Sequence, residues 1–221
     1  MKQKIIFGIL VFFGCTTNAL AHVPVLVYPQ SVADITQITD PELSQAFYGA
    51  MNGFPHTFEI HADKPFTLKT EILVPDIDES KNIISGIIIK ENPEGGRVIE
   101  IVRLNAKEAL WKSQFESYGG DSYRHGPLFE KQLDAGTYRV EVHTPDNIEK
   151  YVLVVGSREE MTLGYFELLK RLIAVKEFFG KSPIMVIESL FVYVPMIVCG
   201  IIGFVVWYIR RRKSQKYSVV K

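Results

Sequence analysis

Cysteine is nearly absent: the 221 residues hold two, Cys15 and Cys199, each inside an apolar run near one end. The long segment between them has no disulfide staple and no thiol for nucleophilic or metal chemistry. No Asn-x-Ser/Thr sequon occurs, and with the missing cysteines this points to a bacterial cell surface. Gly-x-Ser-x-Gly and His-Glu-x-x-His are missing too, which excludes the hydrolases built on those motifs and leads us to expect no enzyme. Gly180-Lys181-Ser182 ends like a phosphate loop, but Val175 stands where its first glycine belongs. Asp76–Ser80 starts like a calcium loop, but Lys81 replaces the turn glycine and Ile87 the bidentate acid, so a solvated turn is expected.

An excess of basic charge is also lacking. The chain is neutral overall, yet His22–Glu160 carries 22 acidic against 13 basic side chains, a balance of −9. An acidic segment lacks the basic footprint that nucleic acid requires, so no nucleic-acid partner is expected.

What the chain does have is one long uncharged run. Leu190–Ile209 contains twenty residues without a charge, enough at about 1.5 Å each to cross a hydrocarbon core of about 30 Å. Arg210, Arg211, Arg212 and Lys213 follow directly and put that end in the cytoplasm by the positive-inside rule. Met1–Ala21 reads as a secretory leader: Lys2 and Lys4, the apolar run Ile5–Phe13, then Ala19-Leu20-Ala21 before a cut. Together these predict a single-pass type I protein of a bacterial inner membrane, its main part exported and its bilayer the first partner. The expected division is leader 1–21, exported domain 22–157, amphipathic helix 158–183, membrane helix 184–209 and basic tail 210–221.

Within the exported domain the spacing is mostly that of strands. Asp40-Pro41-Glu42 looks like a helix start, with Leu43, Ala46 and Phe47 on one face before Gly49. From Phe54 apolar residues alternate: His56–His61, Phe66–Val74, Val98–Val102, Phe129–Leu133, Thr137–His143 and Lys150–Val155. Ile83–Ile89 is a near-continuous apolar run, expected as a strand buried on both faces. Asn105–Gly126 reads as a looser middle. About eight short strands indicate a mainly β fold, a single β-sandwich followed by an amphipathic helix and one C-terminal membrane helix. The helix has Phe166, Leu169, Leu172, Ile173 and Phe179 at helical spacing, which suits either a membrane surface or the sandwich itself. Glu188 is expected at the headgroup level, Pro195 to kink the membrane helix, and Cys199, Gly200 and Gly203 to allow close packing of a second copy.

Leu133–Val142 (LDAGTYRVEV) and Tyr151–Val155 (YVLVV) resemble the closing hairpin of bacterial pre-peptidase C-terminal-type domains, which are jelly-roll sandwiches. The resemblance implies that fold and a binding role. The residues suit a hairpin in their own right: Gly136 permits a tight entry, while Tyr138, Val140 and Val142 alternate inward, answered by Tyr151, Leu153 and Val155.

The leading functional expectation is therefore a non-catalytic binding or assembly module, with a protein partner or a second copy and no cofactor. The alternative is a copper-binding or copper-dependent redox protein. A cut after Ala21 makes His22 the mature N-terminus, offering an α-amine and an imidazole to one metal, and His56 and His125 are the leading candidates for a further imidazole, with His61 and His143 behind them.

Overall fold

The computed structural model describes residues 22–92, 94–160 and 163–218; the expected leader lies outside them. Among the described residues, eleven strands form two stacked sheets. They are β1 (Val23–Val27), β2 (Ile35–Ile38), β3 (Gln45–Ala50), β4 (His56–Ala62), β5 (Phe66–Pro75) and β6 (Ser85–Lys90), then β7 (Ile99–Leu104), β8 (Lys112–Glu116), β9 (Asp121–Leu133), β10 (Gly136–His143) and β11 (Lys150–Val155). The six-stranded sheet runs β1-β3-β11-β5-β9-β8, and the five-stranded sheet runs β2-β4-β10-β6-β7. Inward side chains of both sheets close one apolar core. Across it Phe47 meets Phe58 with ring centres 5.3 Å apart, and Phe66 meets Tyr138 at 5.6 Å.

Several expectations need correction. The helix expected after Asp40 is a turn followed by strand β3. Asp40 Oδ1 accepts from the backbone N–H groups of Glu42 and Leu43, at 3.1 and 3.2 Å, as a cap would. The chain then extends because Gln45–Ala50 pairs with β1 on one side and β11 on the other. Tertiary pairing overrides a local helix signal. Ile83–Ile89 is buried on one face rather than two: Gly86 and Ile88 are buried, while Ile87 and Ile89 are only half-buried. The middle is ordered, since it holds β8 and the first half of the thirteen-residue β9.

The expected hairpin is an arch. β10 belongs to the five-stranded sheet and β11 to the six-stranded one. Between them Thr144 N–H donates to Asn147 Oδ1 at 2.9 Å, and Asn147 N–H to Thr144 Oγ1 at 2.8 Å. Asn147 takes a positive φ of 52°, and the chain crosses to the opposite sheet. Tyr138, Val140 and Val142 do point inward, as do Tyr151, Leu153 and Val155. They face each other through the core instead of pairing side by side. Gly136 has φ 149°, and a Cβ there would come within 2.7 Å of the Lys90 side chain.

After the sandwich come α1 (Tyr165–Phe178), a 3₁₀ turn (Pro183–Glu188) and α2 (Leu190–Ser218). Helix α1 lies on the outer face of the six-stranded sheet. Val175 and the following Phe179 pack with Ala46, Tyr48, Tyr123, Val152 and Val154. Its buried face is Leu168, Leu172, Val175 and Lys176, so Phe166 points outward, 77% exposed. The long helix starts at Leu190, later than expected, and leaves Glu188 in the turn before it. Leu190–Arg212 is long and apolar enough to cross a membrane, and the helix runs on through Pro195. At its far end the Arg211 and Arg212 guanidinium groups lie over the rings of Trp207 and Tyr208, 5.2 and 4.7 Å from the centroids, an aromatic and cationic border suited to a membrane–water boundary. Gly200 and Gly203 have open space on their outer side.

Candidate functional site

Two features share the region between the six-stranded sheet and α1. The first is a cavity of about 50 Å³, room for a few waters at about 10–15 Å³ each. Strand order builds it. His22 stands just before edge strand β1, and His125 lies on β9, toward the other edge of the same sheet; both line the cavity. Leu73, Val154, Leu172 and Val175 supply apolar wall, while Glu116, Tyr118, Tyr48 and Tyr123 supply polar wall.

The polar groups are mostly committed. Glu116 accepts from the backbone N–H of Tyr118 through Oε1 and of Gly119 through Oε2, both at 2.7 Å; burial raises its carboxyl above the usual value. Tyr48 and Tyr123 share a hydrogen bond of 2.8 Å. Burial pushes both phenols well up, and that of Tyr118 to about 12, so all three stay protonated at neutral pH. His125 Nδ1 is 2.9 Å from Glu71 Oε1, and His22 Nδ1 bonds to Ser44 Oγ. Burial lowers the His22 imidazole below its ordinary value; the Glu71 carboxylate opposes this, and His125 and Lys69 add to it.

The structure thus brings His22 and His125 to one cavity and puts His56 elsewhere. His56 is buried, with Nδ1 2.8 Å from the Tyr151 hydroxyl. His61 bonds Thr137 at the surface, and His143 lies beside Glu141. Among the described residues no three His, Cys, Asp or Glu side chains stand together as a metal site. Asp76 is paired with Arg124 at 3.3 Å, and Asp78 and Glu79 of the same turn are exposed, as expected of a solvated turn.

The second feature is a buried charge cluster. Lys176 of α1 donates to Gly120 O at 2.8 Å and to Asp121 Oδ2 at 2.9 Å. Lys181 takes the other Asp121 oxygen at 2.7 Å, and Glu188 Oε2 lies 3.9 Å from Lys176 Nζ. The Lys176 and Asp121 side chains are 0% exposed. The start of the long helix is fastened at the same loop: Leu190 N–H donates to Ser117 O at 2.9 Å, and the Ser189 hydroxyl bonds to Tyr118 O. Gly120, at φ 74°, lies so close that a Cβ there would sit 2.7 Å from the Glu188 carbonyl carbon. Chemically, the cluster docks the start of the long apolar helix onto the sandwich.

Lys176, Asp121 and Glu71 were not foreseen from the sequence. Lys176 sits among charged neighbours on a helix and reads there as solvated, and its partner is 55 residues away.

No family model matches the chain, and no curated protein matches it. Solved structures similar to it include the pre-peptidase C-terminal domain of a collagenase from Bacillus anthracis, at 8% identity and TM-score 0.34, over 57% of this chain and 98% of that one. CorA, a surface-associated copper-binding protein of Methylomicrobium album BG8, is similar at 7% identity and TM-score 0.29, again over 57% and 98%. A β-glucosidase from Paenibacillus barengoltzii is similar at 9% identity and TM-score 0.25, over 63% of this chain and 14% of that one.

Proposed function

We propose that this protein is a single-pass type I component of a bacterial inner membrane that holds a β-sandwich as a binding or assembly module on the periplasmic side. The leader is removed before His22, the helix Leu190–Arg212 spans the bilayer, and Arg210–Lys213 stays in the cytoplasm. The observation that carries this reading is the bonded junction at Ser189–Leu190. A helix of membrane length begins where the sandwich grips it, so the module is held rigidly at the surface rather than on a loose tether.

Exposed apolar side chains near that junction support membrane contact. Tyr165 of α1 stacks on Phe191 of α2 with ring centres 4.7 Å apart, and the adjoining Phe166, Ile184 and Ile187 are exposed, as groups seated at headgroup depth would be. The outer strands of the sandwich support a protein partner. Each sheet ends in a strand, β7 or β8, whose outer edge has no partner strand among the described residues, and Ile99, Leu110 (84% exposed) and Phe115 are apolar and exposed there. Such edges accept an added strand.

The test is photo-crosslinking in intact cells with the reactive group at position 115 on β8. Capture of one defined protein, or of a second copy, supports the module reading. A full-length protein that crosslinks to nothing and leaves mild detergent as a lone monomer contradicts it.

A further inference from the structure

We propose that the protein is a dimer of identical copies in the membrane, with β8 of one copy paired antiparallel to β8 of the other about a two-fold axis at Gln114. The inference rests on the membrane-anchored reading above and names the partner that the β8 edge takes.

Among the described residues the two sheets have four outer edges, and three of them carry a device that discourages pairing. β1 contains Pro24, whose carbonyl accepts from Arg171 of α1 at 3.0 Å. β2 is short, with four residues. β7 has a bulge, where its register with β6 shifts between Ile88 and Ile89, and it carries the ion pair of Glu100 with Arg103 at 2.7 Å. β8 is different. It matches β9 at all five positions from Lys112 to Glu116 without a break, holds no proline or glycine, and exposes its first four residues. Its one guard is Lys112, and that charge has its opposite four positions on in the same strand.

That spacing selects a second copy as the added strand. Lys112-Ser113-Gln114-Phe115-Glu116 is complementary to itself when run antiparallel. Centred on Gln114, the pair matches all five residues: Lys112 faces Glu116 of the partner subunit at both ends, Ser113 faces Phe115, and Gln114 faces its counterpart. Opposite charges directly across two strands attract and like charges repel, so the lysine that guards the edge against other strands favours this one. Glu116 gains as well, since burial raises its carboxyl and an ammonium group across the pair offsets that cost.

The membrane fixes the direction of pairing. Helix α1 packs on the outer face of the six-stranded sheet, and the first turn of α2 packs against it, Val192 with Leu168 and Leu172. An axis perpendicular to the sheet keeps the outer faces of both copies on one side, so both long helices start toward one bilayer. A parallel pairing would turn one sheet over and send its helix away. Five residues make a small ladder, but two copies held in one bilayer meet at a high effective concentration.

The experiment uses the full chain in cell membranes, with Cys199→Ser as background, and oxidises single added cysteines. A disulfide needs Cα atoms about 4–7 Å apart. Gln114→Cys meets its counterpart at the axis and should give a covalent dimer. Lys112→Cys has its counterpart four positions along the strand, about 14 Å away, and should not link. Lys112→Glu added to Gln114→Cys sets two carboxylates opposite each other at each end, and it should lower the linked fraction about fivefold or more, whereas Lys112→Arg should leave it unchanged. No dimer from Gln114→Cys, equal linking by Lys112→Cys, or no effect of Lys112→Glu overturns the pairing. Capture of a different protein at position 115 also overturns it and leaves the module reading standing. Recovery of the chain from the soluble fraction overturns the anchored reading itself, and the dimer with it.

Discussion

Lys176 Nζ stands 2.9 Å from Asp121 Oδ2 with neither side chain exposed to solvent. One residue belongs to α1, the helix before the long apolar one, and the other is the first position of β9. Water cannot screen this pair, and each charge depends on the other for compensation. Lys181 and the Gly120 carbonyl complete the shell, so the pair ties α1 to the sandwich with direction as well as strength.

Removing one partner should therefore cost far more than replacing both. Asp121→Ala leaves a buried ammonium without its carboxylate, and a loss of about 3–5 kcal/mol is expected. The double variant Asp121→Leu with Lys176→Met should regain most of that. Denaturant unfolding followed by Trp111 fluorescence measures both; equal losses in the two variants would contradict the pairing argument.

Gly120 presses on the turn that leads into the long apolar helix. Gly120→Ala combines a strained positive φ with a Cβ 2.7 Å from the Glu188 backbone, so the 3₁₀ turn must move away. Limited proteolysis should then cut at residues 181–189 much faster than in the parent, while the sandwich itself stays protected.

The buried imidazole of His56 predicts an acid-sensitive core. Burial lowers its folded value below 6.5, while the unfolded chain titrates near about 6.5. Between those values the unfolded state binds more protons, so stability is full above pH 6.5 and falls as pH drops below it. The slope from this residue is at most about 1.4 kcal/mol per pH unit. Glu116, with its raised carboxyl, acts in the opposite sense, so the residue-specific measure is a comparison. Melting temperature should drop less between pH 7 and pH 5 in His56→Gln than in the parent.

The same histidine makes a prediction about Tyr151. Its hydroxyl is the partner of His56 Nδ1, and His56 Nε2 has none. Tyr151→Phe removes the remaining bond and leaves the ring wholly unsatisfied, at a cost of about 1–3 kcal/mol. A neutral result would mean that a water replaces the hydroxyl.

Much of this architecture is legible before any coordinates. Tyr138, Val140 and Val142 declare an inward face by simple alternation, and the uncharged run after Leu190 declares itself by length. Gln45–Ala50 misleads because both of its faces are buried: Phe47 goes to the core and Tyr48 goes under α1. Strand periodicity is lost there and a helix start precedes it. The arch after His143 misleads for a different reason. Its turn chemistry is the same whether the chain returns in its own sheet or crosses to the other. That His22 and His125 line the same cavity has no local signal at all, because it depends on four strand pairings, β1–β3, β3–β11, β11–β5 and β5–β9.

The most direct measurement is protease accessibility in cells whose outer layers are opened but whose inner membrane is sealed. The full-length protein should sediment with membranes, added protease should digest the sandwich, and a tag placed after Lys221 should survive. Recovery of the intact protein from the soluble fraction, or loss of the tag while the sandwich persists, would contradict this topology.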